Sequence, residues 1–262
     1  MSYTQEICTI LQTYVRKDFI TLHKRGNQTL KLSLKHAAYL GYTDIFIPDS
    51  GGWMTYEPFA QKAKLTIHKI KTNDGIIDPA SLVLTDKSIV LYHSLGGYYR
   101  KQDTEKIAKV CREAGALCIE DACGQPTVET YGTVVVGSFG NAKPINFGTG
   151  GFAATNDPKW AEFFAEHAIQ IEEPDLLEKV KHADERISFL IKKREQLESV
   201  FEKEQIKTIA DKTALVLIIP FTTEQQQEKI TALLEKENIE YELCPRYIRS
   251  MQQAVSAEIK RL

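Results

Sequence analysis

The sequence predicts a mostly parallel α/β sheet with helices on both faces, followed by a reduced α+β part. Three observations carry this reading. Strand-like and helix-like segments alternate from about Asn27 to Asp157. Several strands are almost wholly apolar, "SIVLYHS" (Ser88–Ser94) most clearly, as strands covered on both faces are. After "TND" (Thr155–Asp157) amphipathic helices take over, so a boundary is drawn there, giving domains 1–156 and 157–262. Strand–helix–strand order with apolar strands builds a parallel sheet.

Each element has its own signal. "NQTLKLSLKHAAYL" (Asn27–Leu40) sets Leu30, Leu34, Ala37 and Ala38 on one helical face, and Gly41 ends it. "DIFIP" (Asp44–Pro48) is a short apolar strand, and Leu65–Ile70 is a weaker one. "DTEKIAKVCREAG" is a helix capped by Asp103 or Thr104 and closed by Gly115, with Ile107, Val110, Cys111 and Ala114 inward. "ALCIED", "TVVVGSF" and "GFAAT" are strands. Asp157-Pro158 starts a helix that carries Trp160, Phe163, Phe164 and His167 on one face. A long helix follows, with Ile187, Leu190, Ile191, Leu197 and Phe201 at helical spacing. "KTALVLIIPF" is a strand. The next helix opens on a capping box, Thr222 with Gln225 or Thr223 with Gln226.

The 262 residues carry a formal net charge of −2, which gives no electrostatic case for nucleic acid or an anionic membrane. No apolar run is long enough to span a bilayer, and the N-terminus lacks a basic leader before an apolar block, so a cytoplasmic location is expected. The five cysteines fit no metal-binding spacing and read as small buried apolar residues, with no metal expected.

In open parallel sheets, ligands sit beyond the carboxyl ends of the strands. That rule gathers Ser50, Gly51, His93 and Asp121 at one edge. The stretch "GSFGNAKPINFGTGGFAATND" (Gly137–Asp157) then puts Ser138 and Lys143 ahead of Gly148, Gly150 and Gly151. It is not a phosphate loop of the GxxxxGK[ST] kind, because Ala142 and Pro144 flank the lysine. Its loose GxGxxG match opens a strand rather than a helix, which excludes a dinucleotide site. A plain turn with a surface lysine is the alternative for this stretch alone. Asp121 changes the weighing. A lysine amine and an aspartate at one strand-end edge suit pyridoxal phosphate: the lysine forms a Schiff base with the aldehyde, and the aspartate pairs with the ring nitrogen. The phosphate needs backbone amides at a helix N-terminus and a hydroxyl; Gly26-Asn27-Gln28 and Ser138 supply them.

These residues resemble the DegT/StrS sugar aminotransferases, a branch of the type I pyridoxal-phosphate fold. Glu120-Asp121-Ala122, Gly137-Ser138-Phe139, Lys143, Gly148, Gly150-Gly151 and Thr155-Asn156-Asp157 stand in the family's order. The resemblance implies that Lys143 is the Schiff-base lysine, Asp121 the pyridine partner and Ser138 a phosphate contact. "RGNQTL" resembles the family's phosphate turn, with Gly26 retained and Asn27 in a threonine's place. "IPDSGGWMT" resembles the segment that lays an aromatic over the ring, which nominates Trp53. "YHSLGG" places His93 near the site, and Gln125 stands one residue late for the glutamine after "EDA". For Gly26 and Asn27 a simple helix cap, and for His93 a satisfied core histidine, are equally good readings. Arg246 and Arg249 read as a solvated pair rather than a carboxylate clamp.

The family segment "GYNYRM", which lends groups to the neighbouring subunit's site, has no counterpart; "IQIEEPDLLEKVKHADERI" stands in its place. The resemblance implies a homodimeric aminotransferase moving an amino group from an amino acid such as glutamate to a keto compound such as a keto-sugar nucleotide. A lyase using the same cofactor, or a non-catalytic cofactor-binding protein, are the alternatives.

Overall fold

Seven strands form one sheet in the computed structural model, which describes residues 2–262. They are β1 (Phe19–His23), β2 (Asp44–Pro48), β3 (Thr66–Ile70), β4 (Ser88–His93), β5 (Leu117–Asp121), β6 (Val134–Ser138) and β7 (Gly151–Thr155). Their spatial order is β1-β7-β6-β5-β4-β2-β3. Only β7 runs against its neighbours; β3, β2, β4, β5 and β6 pair in parallel. Their carboxyl ends therefore share one edge, and His93 of β4 lies in register with Asp121 of β5.

Alternate residues feed opposite faces, as the pleat requires. On one face Val134, Val136, Ile89, Leu91 and Ile119 pack under α2 (Gly26–Tyr39), α3 (Tyr56–Lys62) and α5 (Pro158–Ala165). On the other, Val135, Leu22 and Ala154 pack against α1 (Tyr3–Val15) and α6 (Pro174–Lys181), while Val90, Tyr92 and Cys118 meet α4 (Thr104–Glu113). Helix α1 and strand β1 escape the sequence reading. Ser2 and Gln5 nonetheless form a reciprocal capping box, a signal already present in the sequence.

A second core lies around a three-stranded antiparallel sheet, order β8-β10-β9, from β8 (Leu217–Pro220), β9 (Tyr241–Cys244) and β10 (Ala254–Ala257). Helices α7 (Ala183–Lys203) and α8 (Glu224–Lys236) cover it through Leu190, Leu197, Phe201, Ile230 and Leu234. Thr223 caps α8 with Gln226, the second of the two capping pairs the sequence allows. The packing moves the change of core away from residue 156. Trp160, Phe164, Leu176, Leu177, Val180 and Ala183 all belong to the large sheet's cores, whereas the second core takes Leu95, Tyr98 and Tyr99 from the first part of the chain and α7 side chains from Ile187 onward. The physical reason is that α5 and α6 carry apolar faces that cover the sheet's remaining surface. Among the described residues, no helix is long and apolar enough to cross a membrane.

Candidate active site

The shared strand edge opens on a cavity of about 230 Å³ whose walls include Gly26, Asn27, Trp53, Asp121, Ser138 and Lys143. Six of the eight residues nominated from sequence thus meet in one place. Lys143 rides on the segment between β6 and β7, where Gly148 (φ +101°) and Gly150 (φ +90°) turn the chain back into the antiparallel β7. These left-handed conformations favour glycine. The surface-lysine alternative does not hold, because Lys143 is 8% exposed. Its Nζ lies 4.3 Å from the centre of the Trp53 ring and donates to the Tyr98 hydroxyl.

Asp121 ends β5, buried at the cavity wall. One carboxylate oxygen accepts from the Tyr56 hydroxyl at 2.8 Å, the other from the Cys123 amide at 3.0 Å. Burial pushes this carboxyl up, but His93, Lys143 and the Cys123 hydrogen bonds outweigh it and hold it below the ordinary aspartate value. It is a carboxylate at neutral pH. Lys143 shows the opposite balance. Burial pushes its ammonium down, and Tyr98, Cys123 and Asp121 hold it above the ordinary lysine value.

The first turn of α2 faces the same cavity, and no side chain caps that helix. A Cβ on Gly26 would stand 2.7 Å from the Ser138 Cβ and 2.9 Å from the Gly137 carbonyl oxygen, so only glycine lets the helix start approach β6. Asn27 is no cap. Its Oδ1 accepts from the Trp53 indole at 2.9 Å and from Thr55 at 3.3 Å, which fixes Trp53 in the cavity wall. The Ser138 hydroxyl accepts from the Gly140 amide at 3.2 Å.

Two nominated residues lie elsewhere. Gln125 is corrected: its amide closes a turn onto the Ala122 carbonyl, and its side chain lines a separate cleft with Ser94, Glu120 and Tyr131. The extra residue after "EDA" carries it past the cavity. His93 does not line the cavity wall either. It is buried beside Asp121 with its ring 4.6 Å from that of Tyr98, and its Nδ1 accepts from the Leu95 amide. Burial pushes it down to about 4, so it is neutral at physiological pH, and among the described residues its Nε2 has no protein partner.

Tyr98 and a charged cluster behind it were not nominated from sequence. Arg249 is not solvated: it is 2% exposed, and Glu258 takes its Nε and Nη2 at 2.7 and 2.6 Å. Arg246 is instead a surface partner of Glu242. Lys260 is buried too, 3.4 Å from Glu258, and its Nζ lies 5.0 Å from the Tyr98 ring centre. The adjacent pair "YY" after two glycines was the available signal for Tyr98; the Arg249–Glu258 pairing depends on hairpin register, which sequence alone leaves open.

The cavity's own features fit pyridoxal phosphate. It has an uncapped helix start held open by a glycine, an ionised carboxylate, a buried amine and an aromatic plate on one volume.

Comparisons with known proteins point the same way. Residues 2–172 match the model of the DegT/DnrJ/EryC1/StrS aminotransferase family. No curated protein sequence matches the chain. Among solved structures, NtdA from Bacillus subtilis with bound PMP aligns at TM-score 0.72 and 15% identity, over 98% of this chain and 72% of that one. 3-Amino-5-hydroxybenzoic acid synthase aligns at 0.71 and 15%, over 98% and 84%. A putative sugar aminotransferase from Streptococcus pneumoniae in its PMP form aligns at 0.73 and 11%, over 99% and 85%. At these identities the structures speak for the fold, the type I pyridoxal-phosphate fold, and the family match speaks for the chemistry. The chain belongs to the DegT/DnrJ/EryC1/StrS aminotransferase family and is a pyridoxal-phosphate-dependent aminotransferase.

Proposed function

We propose that this enzyme moves an amino group from an amino acid, with glutamate as donor, to a keto sugar, and that Lys143 and Asp121 carry the chemistry. The observation that supports this most is the convergence of Lys143, Asp121, Ser138 and the start of α2 on one cavity. Pyridoxal phosphate, when bound, supplies the aldehyde that captures the donor amine and the electron sink that acidifies its Cα–H. The residues of the chain do the rest. The amides of the α2 start and the Ser138 hydroxyl hold the phosphate. Trp53, pinned by Asn27, gives the ring a flat face to stack on. Asp121, kept ionised, faces the ring nitrogen and keeps it protonated. Lys143 would hold the aldehyde end and, once released, would serve on Nζ as the base for the Cα proton. His93, neutral and buried, supports the wall behind Asp121.

The keto-sugar acceptor rests on the family and on the sugar aminotransferase among the structural neighbours. A homodimer belongs to the same reading through the family resemblance alone, and a cytoplasmic location remains the expectation of the sequence. The test is a donor half-reaction. Glutamate added to the cofactor-loaded protein is expected to convert the aldehyde form to the amine form with one equivalent of 2-oxoglutarate, followed in the visible spectrum. A donor consumed while the aldehyde form persists would make the protein a lyase. No reaction with any amino acid would leave a cofactor-binding protein.

A further inference from the structure

Tyr98 is the closest group to the Lys143 amine, and the fold takes trouble to put it there. It follows Gly97 with φ +69°, a left-handed conformation that a non-glycine residue adopts only at a steric cost. Such strain persists only where surrounding contacts impose it, and it gathers at functional sites. Here the contacts are explicit. The Gly97 amide donates to the Gly51 carbonyl, the Tyr98 amide to Leu95, and the Tyr98 carbonyl accepts from Leu215 of the second core, all at 2.8–2.9 Å. Gly124 leaves room for the ring: a Cβ there would lie 3.3 Å from it. The ring is 2% exposed, with Arg249 at 5.1 Å, Lys260 at 5.0 Å and Lys143 at 4.8 Å from its centre. Arg249 and Lys143, with the Lys260 amine beside them, pack around the ring. The hydroxyl's one protein partner among the described residues is Lys143 Nζ.

We infer that Tyr98 is the positioning residue for the Lys143 amine: its hydroxyl holds Nζ at the cavity wall whenever the lysine is not bonded to cofactor. This rests on the proposed role of Lys143 and extends it. A lysine stem has four rotatable bonds, so a released amine without a partner would sample positions away from the donor's Cα. The phenol oxygen accepts a hydrogen bond from the ammonium, which both aims Nζ and raises its proton affinity. Burial pushes the phenol itself upward, so it stays O–H at neutral pH. The other charged or titratable groups facing Lys143 are Asp121, Cys123 and His93 from the β5 and β4 ends, and Lys260 and Arg249 from the second core. None of them changes in the variant proposed here.

The test is the pH profile of lysine acylation in cofactor-free protein, using dilute acetic anhydride and peptide mass spectrometry, for the wild type and Tyr98→Phe. A hydrogen bond to a charged group is worth about tenfold or more. Lys143 in Tyr98→Phe is therefore expected to acylate about tenfold faster at neutral pH, its profile displaced to lower pH. Lys260, which meets the ring and not the hydroxyl, should keep its wild-type profile. A faster reaction at both lysines would mean loosened packing and would overturn the inference, as would unchanged profiles at both. A separate arm loads both proteins with pyridoxal phosphate and reduces them with borohydride. Cofactor trapped on Lys143 in both, with unchanged acylation, would sink the Tyr98 inference alone. Cofactor trapped on Lys143 in neither would remove the role of Lys143 and this inference with it.

Discussion

Lys143→Ala is expected to leave a folded protein that has lost turnover by about 10⁴-fold, the upper end of what a positioned general base contributes. The expectation has two halves. The chemical half is that Lys143 is the amine within reach of Trp53 and Asp121 on the cavity wall. On the roles proposed for it, removing it takes away both the tether for the aldehyde and the base for the Cα proton. The structural half follows from burial. Taking an ammonium out of water is costly, so losing it relieves an expense while leaving the Tyr98 hydroxyl unpaired, about 1–3 kcal/mol in the other direction. The two offset, and the melting temperature should move by a few degrees at most. Rapid-mixing measurement of the donor half-reaction, beside thermal unfolding, checks both halves. Turnover within tenfold of the wild type would show that Lys143 is not the reacting amine.

The second large effect is on stability. Glu258→Gln should cost about 3–5 kcal/mol, the usual loss when one member of a buried ion pair is removed. For a chain of this size that is a fall in melting temperature on the order of 10 °C. Glu258 is the one carboxylate that Arg249, Lys260 and Arg261 all approach, at 2.6, 3.4 and 3.6 Å. Without it, two buried cations face each other under the Tyr98 ring. Burial pushes the Glu258 carboxyl up, but Arg249, Lys260 and the Ser256 hydroxyl pull it down to about 2. Its folded value lies below its unfolded one. The stabilisation is therefore complete above the ordinary glutamate value of 4.5 and is lost as pH falls toward about 2. The gap between wild type and Glu258→Gln should be wide at pH 7 and should narrow at pH 3. Lys260 runs the other way in the same window logic. Burial first, then the like charges of Arg249 and Lys143, push it down to about 7 from an ordinary 10.5. Its charge destabilises the fold below pH 7, and that cost fades as pH rises from about 7 to 10.5. Equal melting temperatures at pH 7, or a gap of the same size at pH 3, would contradict this account of the cluster.

Much of the site was legible because a parallel sheet assigns addresses. Asp121 and Ser138 end neighbouring parallel strands, so their convergence follows from strand order. Lys143 comes with them because the chain must turn back between Ser138 and Gly151 to form β7. Asn27 and Trp53 were legible one at a time, but their hydrogen bond was not, since 26 residues separate them and only the packing of α2 beside the β2 end brings them together. Gln125 misled because it lies in the turn after β5, where the backbone bond from its amide to the Ala122 carbonyl, not the strand pleat, sets the direction of its side chain. Tyr98 was invisible for a related reason: its direction is set by a left-handed residue after Gly97, and sequence shows only two tyrosines in a row. The edge between the two cores is hard to read in sequence because an amphipathic helix declares that it covers something and not what it covers. Helices α5 and α6 turned out to cover the large sheet.

The central claim is that Lys143 holds the cofactor, and one measurement addresses it directly. The protein is loaded with pyridoxal phosphate, reduced with borohydride, digested, and each lysine-containing peptide is weighed. Lys260 is the informative competitor, because it is buried behind the same tyrosine and its amine is half unprotonated near pH 7. The account predicts one equivalent of cofactor on the peptide containing Lys143 and none above background on Lys260. Label on Lys260, or label scattered over surface lysines with Lys143 unmodified, would contradict it.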